Sequence, residues 1–293
     1  MSPKILVENI EQLVSLPDVF VKVNRLMDSS EYSAMRMGEI ISQDTDLSAR
    51  LLRLANSPFY GLRAPVDTIS RAVTLIGTQE LRNLVLASSA IRLFTGIPAD
   101  LVDMGAFWSH SIMTGGLARE LAVRCNVLHS ERLFVMGVLH DIGRLVIYLV
   151  LPDQARDILL ITGGDDWLSP QAEQDVLGFT HMEVGAQLLR AWGLPDGLVQ
   201  VIWAHHCPDK AGAYQFDASL LHIAIVICNG YMFGLSFDEI LANIHPSIWQ
   251  LTDLDRQDLQ RIAETLPDKL AEAMEFIHSP PEGVHSSSGH CPD

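Results

Sequence analysis

Six side chains able to bind a transition metal, His110, His140, Asp141, His181, His205 and His206, follow one another through the second half of the chain. Two are adjacent: His140 and Asp141 stand in Val138-Leu139-His140-Asp141-Ile142-Gly143, where the apolar neighbours predict a buried helix whose polar pair faces an interior pocket. A buried carboxylate without a partner is costly, so Asp141 calls for a metal, a cationic side chain or several donors. Imidazole with carboxylate suits Fe, Mn, Zn, Co or Ni, and one divalent ion of this group is the cofactor the residues predict. An Asp bridging two such ions would lower the pKa of a shared water and make a nucleophile near neutral pH. Taken singly, each histidine reads as a hydrogen-bonded core or surface residue, and only the series points to ligation.

Other chemistries find less support. Ser, His and Asp occur without a G-x-S-x-G elbow, and neither Gly115-Gly116 nor Gly163-Gly164 is followed by the Gly-Lys-Ser/Thr of a phosphate loop. Cys125, Cys207, Cys228 and Cys291 show no C-x-x-C spacing, which leaves reduced thiols as their reading.

The elements that must position the six residues are helices. Apolar residues recur at three- and four-residue spacing, as in Ile40, Ile41, Leu47, Leu51, Leu52 and Leu54, while period-two alternation is scarce. The chain is therefore predicted to be all-α. Start and stop signals are Asp46 before a Leu-rich run, Thr78 after Gly77, Ser130 with Glu131, Thr180 with Glu183 as a capping box, and Gly193 with Pro195. Asn56-Ser57-Pro58-Phe59-Tyr60-Gly61 interrupts the pattern, and Gly96-Ile97-Pro98 does so again. The second break divides an N-terminal helical lobe, 1–98, from a helical lobe with C-terminal helices, 99–278; residues 279–293, rich in Ser, Pro, Gly and His, are predicted to be a disordered tail.

Among 293 residues, 48% are hydrophobic and 19% charged, which excludes disorder for most of the chain. The net charge of -16 argues against generic binding to nucleic acid or anionic lipid. Residues 33–95 alone are net basic, with seven Arg against five acids, whereas the last helix carries many acids, from Asp253 to Glu275, read as a solvated face. The segment MSPKILVENIEQ brings Glu8 and Glu11 where a signal peptide would be apolar, and runs such as Leu145 to Leu151 are far below the roughly 18 residues of a membrane span. A cytoplasmic protein with no membrane partner is expected.

At Phe107-Trp108-Ser109-His110-Ser111, Leu139-His140-Asp141-Ile142-Gly143-Arg144, His181-Met182-Glu183-Val184-Gly185 and Trp203-Ala204-His205-His206 the chain resembles the HD superfamily of metal-dependent phosphohydrolases. Ile41-Ser42-Gln43-Asp44, Leu51 through Gly61 and Ala72-Val73-Thr74-Leu75-Ile76-Gly77 are similar to the HDOD family, the HD-related output domain of bacterial signalling proteins. The resemblance covers roughly residues 8 to 235. It implies an HD-like helical bundle that usually lacks phosphohydrolase activity and serves as a regulatory module, alone or beside receiver and cyclic-dinucleotide domains. By the same resemblance His110, His140 and Asp141 match a first metal site, and Asp141, His181 and His205, with His206 beside them, a second.

Where the superfamily closes its first site with Asp, this chain has Asn229, a neutral and weaker ligand. Arg144 replaces the Lys common in cyclic-di-GMP phosphodiesterases of the HD-GYP type, Ala211-Gly212-Ala213-Tyr214 stands in place of their Gly-Tyr-Pro, and Ala106 offers no carboxylate one turn before His110. The function expected is a non-enzymatic signal-transduction module that binds another signalling protein, such as a receiver or cyclic-dinucleotide protein, with a metal as a structural pin. The alternative is a metal-dependent phosphodiesterase. Met35 to Asn56 imitates a DNA-binding helix-turn-helix, but its apolar spacing fits two core helices equally well, and Trp108, Trp192, Trp203 and Trp249 read as core.

Overall fold

The computed structural model describes residues 2–10 and 14–278, the last seven of these by backbone alone. In chain order the helices are α1 (Pro3–Ile10), α2 (Asp18–Met27), α3 (Ala34–Ser42), α4 (Thr45–Asn56), α5 (Ile69–Ile76), α6 (Thr78–Leu93), α7 (Met104–Arg124), α8 (Glu131–Leu139), α9 (Ile142–Val150), α10 (Pro152–Thr162), α11 (Ser169–Leu177), α12 (His181–Ala191), α13 (Asp196–Ala204), α14 (Gln215–Met232), α15 (Phe237–Ala242), α16 (Pro246–Thr252) and α17 (Arg256–His278). A 3-10 segment, Pro208–Tyr214, precedes α14, and no strand occurs among the described residues. The protein is all-α, as its periodicity predicts. The expected tail, 279–293, lies outside the described residues.

Caps set several boundaries. Thr180 accepts from the Glu183 amide while Glu183 reaches back to the Thr180 amide, so the predicted capping box opens α12. At α4 the cap is Asp44, not Asp46: its carboxylate accepts from the Leu47 amide at 2.9 Å, leaving Asp46 in the first turn to pair with Arg50 and Arg92. Ser130 precedes α8 without a side-chain cap bond. Asn56 ends α4 as a two-sided clamp, its amide donating to the Val66 carbonyl at 2.8 Å and accepting from the Val66 amide at 2.7 Å. That is the cap-and-turn role the residue type favours.

The core is one continuous cluster running from Leu6 in α1 to Leu270 in α17. Helix α1 packs on α9 and α12, α6 packs on α8, and Trp192 donates to the Val14 carbonyl at 2.8 Å, so side chains from both sides of residue 98 share that interior. At its centre α14 is buried on nearly every face from Asp217 to Gly230, which explains why it lacks an amphipathic stripe. Two stretches, Glu131–Val150 and Pro208–Met232, are long and apolar enough to cross a bilayer, a length the shorter run at Leu145 to Leu151 does not show. Their most apolar windows are 78% and 72% buried within the fold, the signature of core helices.

Two glycine contacts bring the candidate ligands together. Gly137 of α8 lies against the backbone of Gly115 in α7, where any Cβ would overlap the Gly115 Cα, and this close approach carries the end of α8 toward His110. Gly143 of α9 abuts His181 and Gly185 of α12; a Cβ there would lie 2.7 Å from the Gly185 nitrogen and closer still to the His181 carbonyl. The second contact sets Asp141 beside His181.

Candidate metal centre

His140 and Asp141 do not sit within one helix, as the apolar run predicts, but in the break between α8 and α9. Opening the chain there lets both side chains point the same way into the interior. His181 begins α12, and His205 and His206 follow the last residue of α13. Helix ends, rather than helix faces, present most of the site.

Four of the six predicted residues converge. His140 Nε2 lies 3.3 Å from Asp141 Oδ2, His181 Nε2 lies 3.4 Å from Asp141 Oδ1, and the Nε2 atoms of His181 and His205 are 3.2 Å apart. His140 and His205 meet edge to face with ring centroids 5.5 Å apart. The remaining two flank them. The His110 ring is 5.5 Å from that of His140, and the His206 ring is 4.4 Å from that of His205. The ligand atoms fall into two triads, His110 with His140 and Asp141, and His181 with His205 and His206, each within 4.8 Å.

The tautomers follow from what lies behind each ring. His140 Nδ1 meets the Gly137 carbonyl at 2.7 Å, His205 Nδ1 meets the Ile202 carbonyl at 2.7 Å, and His181 Nδ1 meets the Glu173 carboxylate at 2.7 and 2.9 Å. Those oxygens only accept, so each Nδ1 carries the hydrogen and each Nε2 presents a lone pair. Three lone pairs and a carboxylate thus face one another in a buried space. His140 Nε2 has no hydrogen-bond partner, a deficit that costs about 1–3 kcal/mol when nothing fills it. A transition-metal cation removes the conflict, and His140, Asp141, His181 and His205 are the residues that would hold it. Such an ion would supply Lewis acidity to a bound oxygen and a rigid tie among α8, α12 and α13.

Burial favours the neutral, metal-ready imidazoles. It pushes His205 and His206 well below the ordinary histidine value, with their neighbouring histidines adding to the effect, and takes His110 down to about 4. Burial alone would raise the Asp141 carboxyl, but the Arg144 guanidinium overrides it and holds the group well below the usual range. Glu173 is likewise held down by His181 against its own burial.

Several functional side chains have no signal in the sequence. Glu173 of α11 orients His181 by accepting from both its Nδ1 and its backbone amide, the latter at 2.7 Å. His222 of α14 approaches the His205 carbonyl at 2.8 Å. Asp166, between α10 and α11, pairs with Arg144 and accepts from the Asn229 amide at 2.6 Å. Arg144 also donates to Asp141 Oδ1 at 3.0 Å and to Ser169 at 3.3 Å. Asn229 is therefore not an idle replacement for an acid; it braces one brought in by a different segment.

Comparison with known proteins places this arrangement. Residues 13–208 match the HDOD domain. The chain belongs to the HDOD family. A candidate phosphohydrolase of Shewanella amazonensis SB2B is 30% identical and superposes with a TM-score of 0.73 over 93% of this chain and 97% of its own. An HDOD domain protein of unknown function from Geobacter sulfurreducens, 23% identical, has the same fold with a TM-score of 0.73 over 94% and 96% of the two chains. An uncharacterized protein of Treponema pallidum (strain Nichols) is 25% identical over 204 residues, 68% of this chain and 38% of its own length. This HDOD chain thus spans well under half of the curated relative it matches.

Proposed function

We propose that this HDOD protein is a non-enzymatic signal-transduction module of the cytoplasm, which binds another signalling protein and uses one divalent transition metal, held by His140, Asp141, His181 and His205, as a structural pin. One observation carries the reading: the Arg144 guanidinium bridges Asp141 and Asp166, with Asn229 bonded to Asp166. Two-metal hydrolysis needs a bridging carboxylate free to share a second cation and a site anionic enough to hold it. Here Oδ1 of Asp141 already accepts from a fixed cation. The three buried carboxylates, Asp141, Asp166 and Glu173, set against one guanidinium, leave two negative charges, the amount a single divalent ion cancels.

The alternative, a metal-dependent phosphodiesterase, draws on the same convergent histidines and on the likeness to the Shewanella candidate phosphohydrolase. Nucleic acid is disfavoured as a partner because two cations of the helix-turn-helix imitation are engaged, Arg36 with Glu31 and Arg50 with Asp46. Purified protein supplied with Mn, Fe, Co or Ni should hydrolyse a chromogenic phosphodiester and cyclic dinucleotides no faster than an Asp141→Ala control. Metal-dependent turnover that disappears in that control would establish the phosphodiesterase instead.

A further inference from the structure

The segment between α10 and α11 turns on Gly163 and Gly164, at φ +61° and +83°, and the next residues reach Arg144 and the rings of His206 and His222. Asp166 is 8% exposed, an unusual burial for a carboxylate on a connecting loop. Its partners are two groups from other elements: the Arg144 guanidinium and the Asn229 amide. Beside it His206 Nε2, 3.9 Å from Asp166 Oδ2, is buried and has no hydrogen-bond partner. One guanidinium nitrogen on Oδ1 and the Asn229 amide on Oδ2, with the His206 ring nitrogen beside them, form an oxyanion receptor, which recognises phosphoryl oxygens as readily as a carboxylate.

The rest of the segment is held by its own turn and by Trp167, which packs against the core. Trp167 meets the rings of His206 and His222 edge-on at centroid distances of 6.3 and 5.8 Å, and Leu168 is 52% exposed. Asp165 ties the turn to itself, accepting from the Trp167 amide at 2.9 Å and, through its carbonyl, from the Ser169 hydroxyl at 3.1 Å. Asp166 is the ionic anchor of this strap.

From this we infer that Asp166 is an internal stand-in for a phosphoryl group, and that a small phosphate-bearing ligand binds between Arg144 and Asn229 by displacing it and lifting the strap of residues 163–168. The inference rests on the signalling reading of the site and gives that reading an input: the ligand is bound, not hydrolysed, and the strap changes the surface shown to a partner. An entering phosphate and Asp166 repel each other and compete for the same donors, so one leaves when the other arrives. Affinity in the intact chain is lowered by the fraction of time the strap is closed.

The test is isothermal titration with inorganic phosphate and with a nucleoside monophosphate, on wild type, Asp166→Asn and Arg144→Gln. Asp166→Asn keeps the shape of the side chain and removes the competing charge, so it should bind phosphate at least about tenfold more tightly than wild type. Arg144→Gln should lose the binding. In the wild-type protein, amide hydrogen exchange in residues 163–168 should speed up on phosphate addition, a readout independent of whether either variant folds. Tighter binding of the monophosphate than of free phosphate would assign the phosphoryl source to a nucleotide, and equal binding to the free ion; either supports the inference. Equal affinity in wild type and Asp166→Asn, binding retained in Arg144→Gln, or no exchange response would overturn it. Inorganic phosphate cannot be hydrolysed, so these outcomes are separate from the phosphodiesterase assay, which alone decides between module and enzyme.

Discussion

Glu173 decides how well His181 can serve as a ligand. A carboxylate behind an imidazole fixes its tautomer and strengthens its free nitrogen, and loss of such a partner typically weakens metal binding 10- to 100-fold. Glu173→Gln, which retains the side-chain volume and removes the charge, is expected to lower affinity for Mn or Fe by roughly 10- to 100-fold, as read by competition with a chelating indicator. Unchanged affinity would place the ion away from His181. At this scale the sequence was legible where ligand types recur in order, and His140, Asp141, His181 and His205 do converge. It was silent on Glu173, Asp166 and His222, because each meets its partner through the tertiary fold and no local spacing encodes that meeting. Gly163 and Gly164 turn the chain at positive φ, and nothing local says that this turn delivers an acid to Arg144 and Asn229.

Helix contacts convert those residues into a site, and two of them can be challenged directly. Gly143→Ala places a methyl group against the His181 carbonyl and the Gly185 nitrogen, so α9 and α12 must separate. Overpacking of this kind costs about 1–3 kcal/mol, and the variant should show that loss in urea denaturation together with reduced metal content. The junction of α6 with the Asn56–Gly61 turn carries a pH dependence. Tyr60 donates to Glu80, and burial raises the Glu80 carboxyl to about 7 despite the hydrogen bond and nearby Arg119, with Glu131 adding to the rise. The folded state therefore holds a proton that the unfolded chain has released between pH 4.5 and about 7. The linked stability is fully present below 4.5 and is lost as pH rises through about 7. Relative to Glu80→Gln, which cannot ionise, wild type should lose roughly 3 kcal/mol between pH 4.5 and 8, by denaturant titration at each pH. A constant difference across that range would show that Glu80 stays charged. Caps were readable at α12, where the Ser/Thr-x-x-Glu pattern is local, and misread at α4, where Asp44 and Asp46 compete and only Asp44 reaches the Leu47 amide. The acids near the last helix were read as one solvated face, yet Asp258 is 6% exposed and pairs with Arg124 of α7 at 2.7 Å.

Across the whole molecule the all-α class was the most legible property, since the 3.6-residue period repeats through nearly every segment. The division at residue 98 stays a proposal about folding units, with a shared core joining the two sides. Hydropathy alone could not distinguish α14 from a membrane span, because a helix buried on all sides by protein has the same composition. In the proposed site Arg144 supplies one cation permanently, which leaves negative charge for one divalent ion. Metal content per chain, measured by mass spectrometry on protein saturated with Mn and then desalted, tests this most directly. One ion per chain is expected in the wild type and none in Asp141→Ala; two tightly held ions per chain would overturn the single-ion site.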